Sequence, residues 1–203
     1  MSGDSFNGKT VQKGTSYLKD SLNREMFDKK LTIIDKPVED FFVSSAPIDT
    51  EGVSTGQIIM VDNGRINSFI FDLQTAGVLG KESTGSGYRS YASLPSPGST
   101  NIFVKPGNIT SDKIISGITD GILIDDFIGL GQSNVLAGEF SANIGLGFKI
   151  VKGEITGRVK DCMVAGNVFE LFSSIGEISS DVSVSGYSSM PYFFFSGLSL
   201  AHK

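Results

Sequence analysis

The sequence predicts an α+β class in which strands outweigh helices, and three observations carry that reading. Glycine is abundant at 25 of 203 residues, Trp is absent and β-branched residues are plentiful, a balance that favours turns and strands. Asn63-Gly64 stands between the apolar runs "QIIMV" and "RINSFIF", the strongest short hairpin signal in the chain. From residue 135 onward, apolar residues alternate with small or polar ones at the period of two that marks half-buried strands. With 39% hydrophobic residues the chain can bury one sizeable core, so a single domain over 1–203 is expected.

Each element has its own signal. Thr15 or Ser16 can cap a helix over about 16–28, where Leu18, Leu22 and Met26 recur at a spacing of four. "LTIIDKP" reads as a short strand stopped by Pro37, and 44–56 as loop. After the hairpin, "DLQTAGVLG" gives one or two helical turns ended by Gly80, and 81–100 forms a long polar loop. "NIFVKPG" is a strand, "TSDKIISGI" a short capped helix and "GILIDDFIG" another strand ending at the acidic pair Asp125-Asp126. "EFSANIGLGFKIV" and "EITGRVKDCMVAG" flank a Lys152-Gly153 turn as a second hairpin. "NVFELFSSIGEI" places Val168, Leu171, Phe172 and Ile175 on one helical face, and "MPYFFFSGLSLA" reads as a buried strand.

The charge balance, 17 basic against 22 acidic residues for a net −5, opposes affinity for the phosphate backbone of nucleic acid. No apolar run approaches the ~20 residues of a membrane span, and the start lacks the apolar region of a signal peptide. The lone Cys162 cannot form an intrachain disulfide and reads as a small buried core residue, which points to a reducing, cytoplasmic setting.

Few residues offer chemistry. "GLGQSN" at 129–134 lacks both the third glycine of a dinucleotide fingerprint and a following Gly-Lys-Ser/Thr, so Gly145 and Gly147 are read instead as bulges or close approaches in bent strands. His202 is the only histidine, stands next to last where chains fray, and leaves Cys162 without a neighbouring ligand, which opposes a zinc site or a Ser/His/Asp triad made by this chain alone. Asp125-Asp126 are either a cation site or, more simply, solvated turn residues. Asp49 and Glu51, in "APIDTEGV", could act as acid, base or substrate ligand, with an Asx turn at Asp49 as the simpler reading.

Several stretches, in one order, resemble the carboxy-terminal domain of the PmbA/TldD family: "GKTVQKGTSYLKDSLNREMF", "SSAPIDTEGVSTGQIIMVDNGRINSFIFD", "STGSGYRSYASLPSPGSTNIFVKPG", "DGILIDDFIGLGQSNVLAGEFSANIGLGFKIVKGEITGRVKDCMVAGNVFELFSSIGEIS" and "MPYFFFSGLSLA". Members of this family, once called modulators of DNA gyrase, are treated as metallopeptidases of peptide maturation and degradation. The resemblance implies a large curved, mostly antiparallel sheet with a few short helices.

In the catalytic TldD type, a His-Glu-x-x-x-His helix lies just upstream of the segment matched by 10–30, and a cysteine near the carboxy terminus completes a zinc site. "SGDSFNGKTVQKGTSYLKD" holds no His and "SSDVSVSGYSSMPYFFF" no Cys, so the chain is similar to the PmbA (TldE) type. The resemblance further implies a non-catalytic subunit with no cofactor of its own, zinc in a TldD-like catalytic partner, and unfolded peptides as substrates. Two rivals are a self-sufficient metallopeptidase whose ligands lie in a missing amino-terminal region, and a homodimeric peptide-binding scaffold. The family's amino-terminal domain is absent here, which makes the chain either a fragment or a short form. The glycine-bearing strands would border a cleft that takes an extended peptide by strand addition, with Asp49, Glu51, Ser133, Asn134 and Ser141 as polar contacts.

Overall fold

In the computed structural model, which describes residues 3–130, 134 and 136–202, thirteen strands and four short α-helices confirm a β-rich α+β fold. The amino-terminal residues form a 3-10 turn (Gly3–Phe6) and α1 (Gly8–Gln12), capped by Asn7, whose side chain accepts the Lys9 amide.

The helix expected over 16–28 does not form. Ser16 Oγ accepts from the Leu18 amide and donates to the Ser5 carbonyl, making a side-chain turn in place of a helix cap. Downstream, the amides a helix would need are spent elsewhere: Asn23 donates to the Ile66 carbonyl, Met26 and Phe27 to Gly64, and Asp28 to Phe172. Of the three spaced residues only Leu18 is buried; Met26 is half-buried and Leu22 exposed, and Phe27, outside the spacing, is the second residue this irregular segment presses into the core.

Six strands form the first sheet: β1 (Ile33–Asp35), β2 (Ile58–Asp62), β3 (Arg65–Ile66), β6 (Ile102–Val104), β11 (Glu177–Ser185) and β12 (Ser188–Phe194), in the order β11-β12-β6-β1-β2-β3. Asn63 (φ 46°) and Gly64 (φ 80°) close the predicted β2–β3 hairpin with both central residues left-handed. Between β3 and β6, α2 (Leu73–Leu79) runs from the Asp72 cap to Gly80 at φ 63°, and the polar loop holds only a two-residue ribbon, β4 (Gly87–Tyr88) with β5 (Ser96–Pro97). The core beneath this sheet gathers Leu18, Leu31, Ile33, Val61, Ile66, Ile70, Val104 and Ile178 with Phe6, Phe27, Phe69 and Phe169. Each such side chain contributes about 1.5–3 kcal/mol by leaving water.

The second sheet is built on β8 (Glu139–Val151). On one side lies β7 (Asp120–Ile128); on the other, end to end, lie β9 (Glu154–Val159) and β10 (Cys162–Asn167), with β13 (Ser199–His202) beyond β10. Lys152 (φ 49°) and Gly153 (φ 83°) make the second hairpin turn as expected. Residues 154–167 are not one strand, because Asp161 at φ 53° turns the chain between β9 and β10. The closing segment is divided too: β12 belongs to the first sheet and β13 to the second, with the switch at Gly197 (φ 80°).

Three further expectations are corrected. Cys162 is only half-buried, since it opens β10 at the sheet margin. Asp125 and Asp126 sit within β7, at the bulge where its register against β8 shifts, and not at a strand end. His202 is not at a frayed end: its backbone pairs with Cys162. Gly145 and Gly147 do what the sequence implied, because a Cβ on Gly145 would lie 2.8 Å from Asp126 Oδ2 and one on Gly147 would lie 2.7 Å from Ile144 Cγ2.

Two more helices join the sheets: α3 (Ser111–Ser116), capped by Thr110, and α4 (Val168–Ser173), capped by Asn167. Phe169, outside the predicted face, is the buried residue of α4, stacked 4.1 Å from the Tyr17 ring. Phe172 packs edge-on against Phe193 and Phe195.

Candidate functional site

The sequence-selected residues fall into two groups. The first is the loop before β2. Asp49 Oδ1 accepts from the amides of Glu51 and Val53, both at 2.9 Å, which is the Asx turn, and Oδ2 accepts from Gly87 at 2.9 Å. Glu51 Oε2 accepts from the Leu73 amide at 2.8 Å, the first residue of α2. Thr50 adds two bonds to the Gly87 carbonyl. A Cβ on Gly87 would fall 2.3 Å from Glu51 Oε2, so glycine there is what lets the loop close on β4. Both carboxylates are thus engaged by backbone donors, and they lock this loop onto β4 and α2.

The second group lies around the junction of β8, β10 and α4. Asn134 is exposed; its side-chain oxygen accepts from Ala137 at 3.4 Å, and its carbonyl from Glu139 at 3.2 Å. Asn167 fastens this turn to α4, donating from Nδ2 to the Ala137 carbonyl while its Oδ1 caps Phe169. Gly138 (φ 76°) closes the contact, since a Cβ there would strike the Phe169 ring at 2.3 Å. Ser141 is exposed on β8 with Oγ 3.3 Å from Met163 Sδ, and it stands in register with Ala165 of β10 and, beyond it, Ser199 of β13. Ser133 lies outside the described residues.

Ala165 and Ser199 also line an open hollow of about 290 Å³ between β10, α4 and the β12–β13 connection, closed by Asn167, Glu170, Leu171 and Leu198. Neither Ser141 nor Asn134 lines this hollow: Ser141 pairs with its lining residue Ala165, and the turn that Asn134 closes is bonded to its lining residue Asn167, whereas Asp49 and Glu51 belong to the loop bonded to β4. Asn167, Glu170 and Leu171 were missed in the sequence because the segment reads as an amphipathic core helix. The Asn that precedes it, an N-cap next to a glycine-rich turn, was the available signal.

Two carboxyls have displaced pKa values. Asp35 is buried and accepts hydrogen bonds from the Thr100 amide and hydroxyl and from the Asn101 amide; burial raises its pKa above the ordinary value, and these bonds work in the opposite direction. Asp181 is held below the ordinary range by its bond with Ser111. Zinc requires three or four N, S or O ligands around one point. Among the described residues no three His, Cys, Asp or Glu side chains meet in that way, so these residues do not fit the ion.

Comparison with known proteins agrees with the fold. Residues 1–202 match the family model described as the PmbA/TldA metallopeptidase C-terminal domain. The chain is 31% identical over 192 residues to an uncharacterized protein of Methanocaldococcus jannaschii, covering 95% of this chain and 45% of that one. It is 32% identical over 171 residues to a metalloprotease of Methanothermobacter thermautotrophicus, covering 84% and 37% respectively. The crystal structure of TldE from Thermococcus kodakarensis superposes with a TM-score of 0.89 at 28% identity, over 97% of this chain and 45% of that one. The chain thus spans less than half the length of these relatives. The match over nearly every residue, together with the close superposition of the fold, places this chain in the PmbA/TldD family as a form of its carboxy-terminal domain.

Proposed function

We propose that the chain serves as a non-catalytic, TldE/PmbA-like subunit of a heteromeric zinc metallopeptidase in the cytoplasm, pairing with a TldD-like subunit that holds the zinc, and helping to enclose unfolded peptides for maturation or degradation. The observation that carries this reading is the likeness to TldE over almost the whole chain, joined to a sequence with one histidine and one cysteine. The peptide lies over the row Ser141, Ala165 and Ser199, which is exposed at its two serines, and over the adjoining hollow, with Asn134 at its border. Asp49 and Glu51 act through the loop they hold. Extended peptide suits this place because the strands present small side chains that let another backbone approach.

The name of the Methanothermobacter relative, a metalloprotease, supports a second reading in which the whole protein carries its own ligands outside residues 1–203. Zinc content separates the two. The proposed subunit, purified without a partner, holds no stoichiometric zinc and cleaves peptide only after a TldD-type protein is added; tightly held zinc on the isolated protein would overturn the accessory role. In the assembled complex, Asn134→Ala and Ser141→Ala should each raise KM for an unfolded peptide several-fold, and unchanged kinetics would remove the cleft from this face.

A further inference from the structure

The hollow between β10, α4 and the β12–β13 connection carries one charge that the fold leaves unanswered. Glu170 is the only ionisable residue lining it and the only charged residue of α4. The positions three and four away along the chain, Gly166, Asn167, Ser173 and Ser174, hold no base to pair with it. Its carboxylate makes no ion pair or hydrogen bond among the described residues, and neither do the hydroxyls of Ser174, Ser196 and Ser199 that share the hollow. Glu25, Glu39 and Glu177, by contrast, sit against Arg65, Lys36 and Lys30.

The walls are of another kind. Leu171 and Leu198 are half-buried, and Leu198 lies across β10, where a Cβ on Gly166 would stand 3.2 Å from Leu198 Cδ2. Glycine there lets the leucine close one side of the space. At about 290 Å³ the hollow is at the lower end of ligand pockets, enough for one long side chain and too small for a larger ligand. Apolar walls beside a free carboxylate and three hydroxyl acceptors match a run of methylenes that ends in a cation.

We propose that this hollow selects a basic residue of the bound peptide. The aliphatic stem of a lysine or arginine lies between Leu171 and Leu198, and its ammonium or guanidinium meets Glu170 and the serine hydroxyls. The inference rests on the reading above that extended peptide crosses the row Ser141, Ala165 and Ser199, because Ala165 and Ser199 belong to the row and also line the hollow. Other occupants fit less well. One carboxylate does not supply the oxygens that a divalent ion collects, and no three His, Cys, Asp or Glu side chains meet among the described residues. The same carboxylate repels phosphate or an acidic side chain. A purely apolar side chain would cover Glu170 and the hydroxyls without giving them partners.

Fluorescence anisotropy with this chain tests the subsite directly. The probes are short dye-labelled peptides, acetylated and amidated at their ends, identical except for one central lysine, arginine, norleucine or glutamate. The lysine and arginine peptides should bind about fivefold more tightly than the norleucine peptide, as expected of one solvent-exposed ion pair, and the glutamate peptide most weakly. The gap should narrow as salt is raised. Glu170→Gln should abolish it and Glu170→Lys should reverse the order in favour of glutamate, with circular dichroism and melting temperature unchanged because Glu170 is exposed. Equal affinities for lysine and norleucine, a lysine preference that survives Glu170→Gln, or a gain that appears only when the peptide's amino terminus is left free would each overturn the proposal. If Ser141→Ala weakens all four peptides alike and no preference exists among them, the basic subsite fails and the cleft stands. If no peptide binds, both fail.

Discussion

Asp35 shows at the scale of one residue how burial and hydrogen bonding compete. Its carboxyl is nearly inaccessible, and desolvation outweighs the bonds from Thr100 and Asn101, so its folded pKa stands above its unfolded one. The folded state then holds a proton that the unfolded chain has released, and stability from this group falls as pH rises from the ordinary carboxylate range through the folded pKa. Asp181 acts in the opposite sense, adding stability above its unfolded pKa that is lost on acidification. Urea unfolding at a series of pH values should therefore show Asp35→Asn losing less stability than wild type between about pH 4 and neutrality. Parallel curves would mean that Asp35 titrates normally. Nothing in the sequence marks Asp35, since its partners are 65 and 66 positions away. Asp49 was legible by contrast, because two of the three bonds its carboxylate accepts lie within four residues.

Among elements, the two hairpins and the lost helix set the limit of legibility. Asn63-Gly64 was readable because the turn is decided by the torsions of those two residues. Residues 16–28 were not, because Leu18, Leu22 and Met26 match helical spacing while amides in the same segment bond to Gly64 and Ile66, contacts no local pattern reveals. Turn glycines also differ in a way that sequence hides. Gly64 (φ 80°) and Gly186 (φ 55°) are both left-handed, but a Cβ on Gly64 would lie 2.3 Å from the Phe27 carbonyl oxygen while one on Gly186 meets nothing within 4 Å. Gly186→Ala should cost about 1–2 kcal/mol, and Gly64→Ala clearly more, because the backbone it strikes is bonded into the core. Equal denaturation midpoints for the two variants would refute the distinction.

At the scale of the molecule, the fold class was legible and the partition into two sheets was not. Alternation in 139–167 announces strands, but no residue type states that β12 and β13, only a short turn apart, serve different sheets. The partition has a consequence for how the chain folds. In the parallel seam between β6 and β12, Ser189 lies opposite Phe103, and the segment between them contains β7 to β10, which pair mostly with sequence neighbours. Early zipping of that meander shortens the free tether whose closure entropy opposes the seam. The amides of the Lys152-Gly153 turn bond to Thr119 and Ile118, and early formation of this turn should therefore speed closure of the sheet it does not belong to. Lys152→Asn, which suits the left-handed φ of 49° better than lysine does, should speed refolding in a stopped-flow experiment and leave unfolding nearly unchanged. If the substitution acted only on the unfolding limb, the seam would have to close without waiting for the meander.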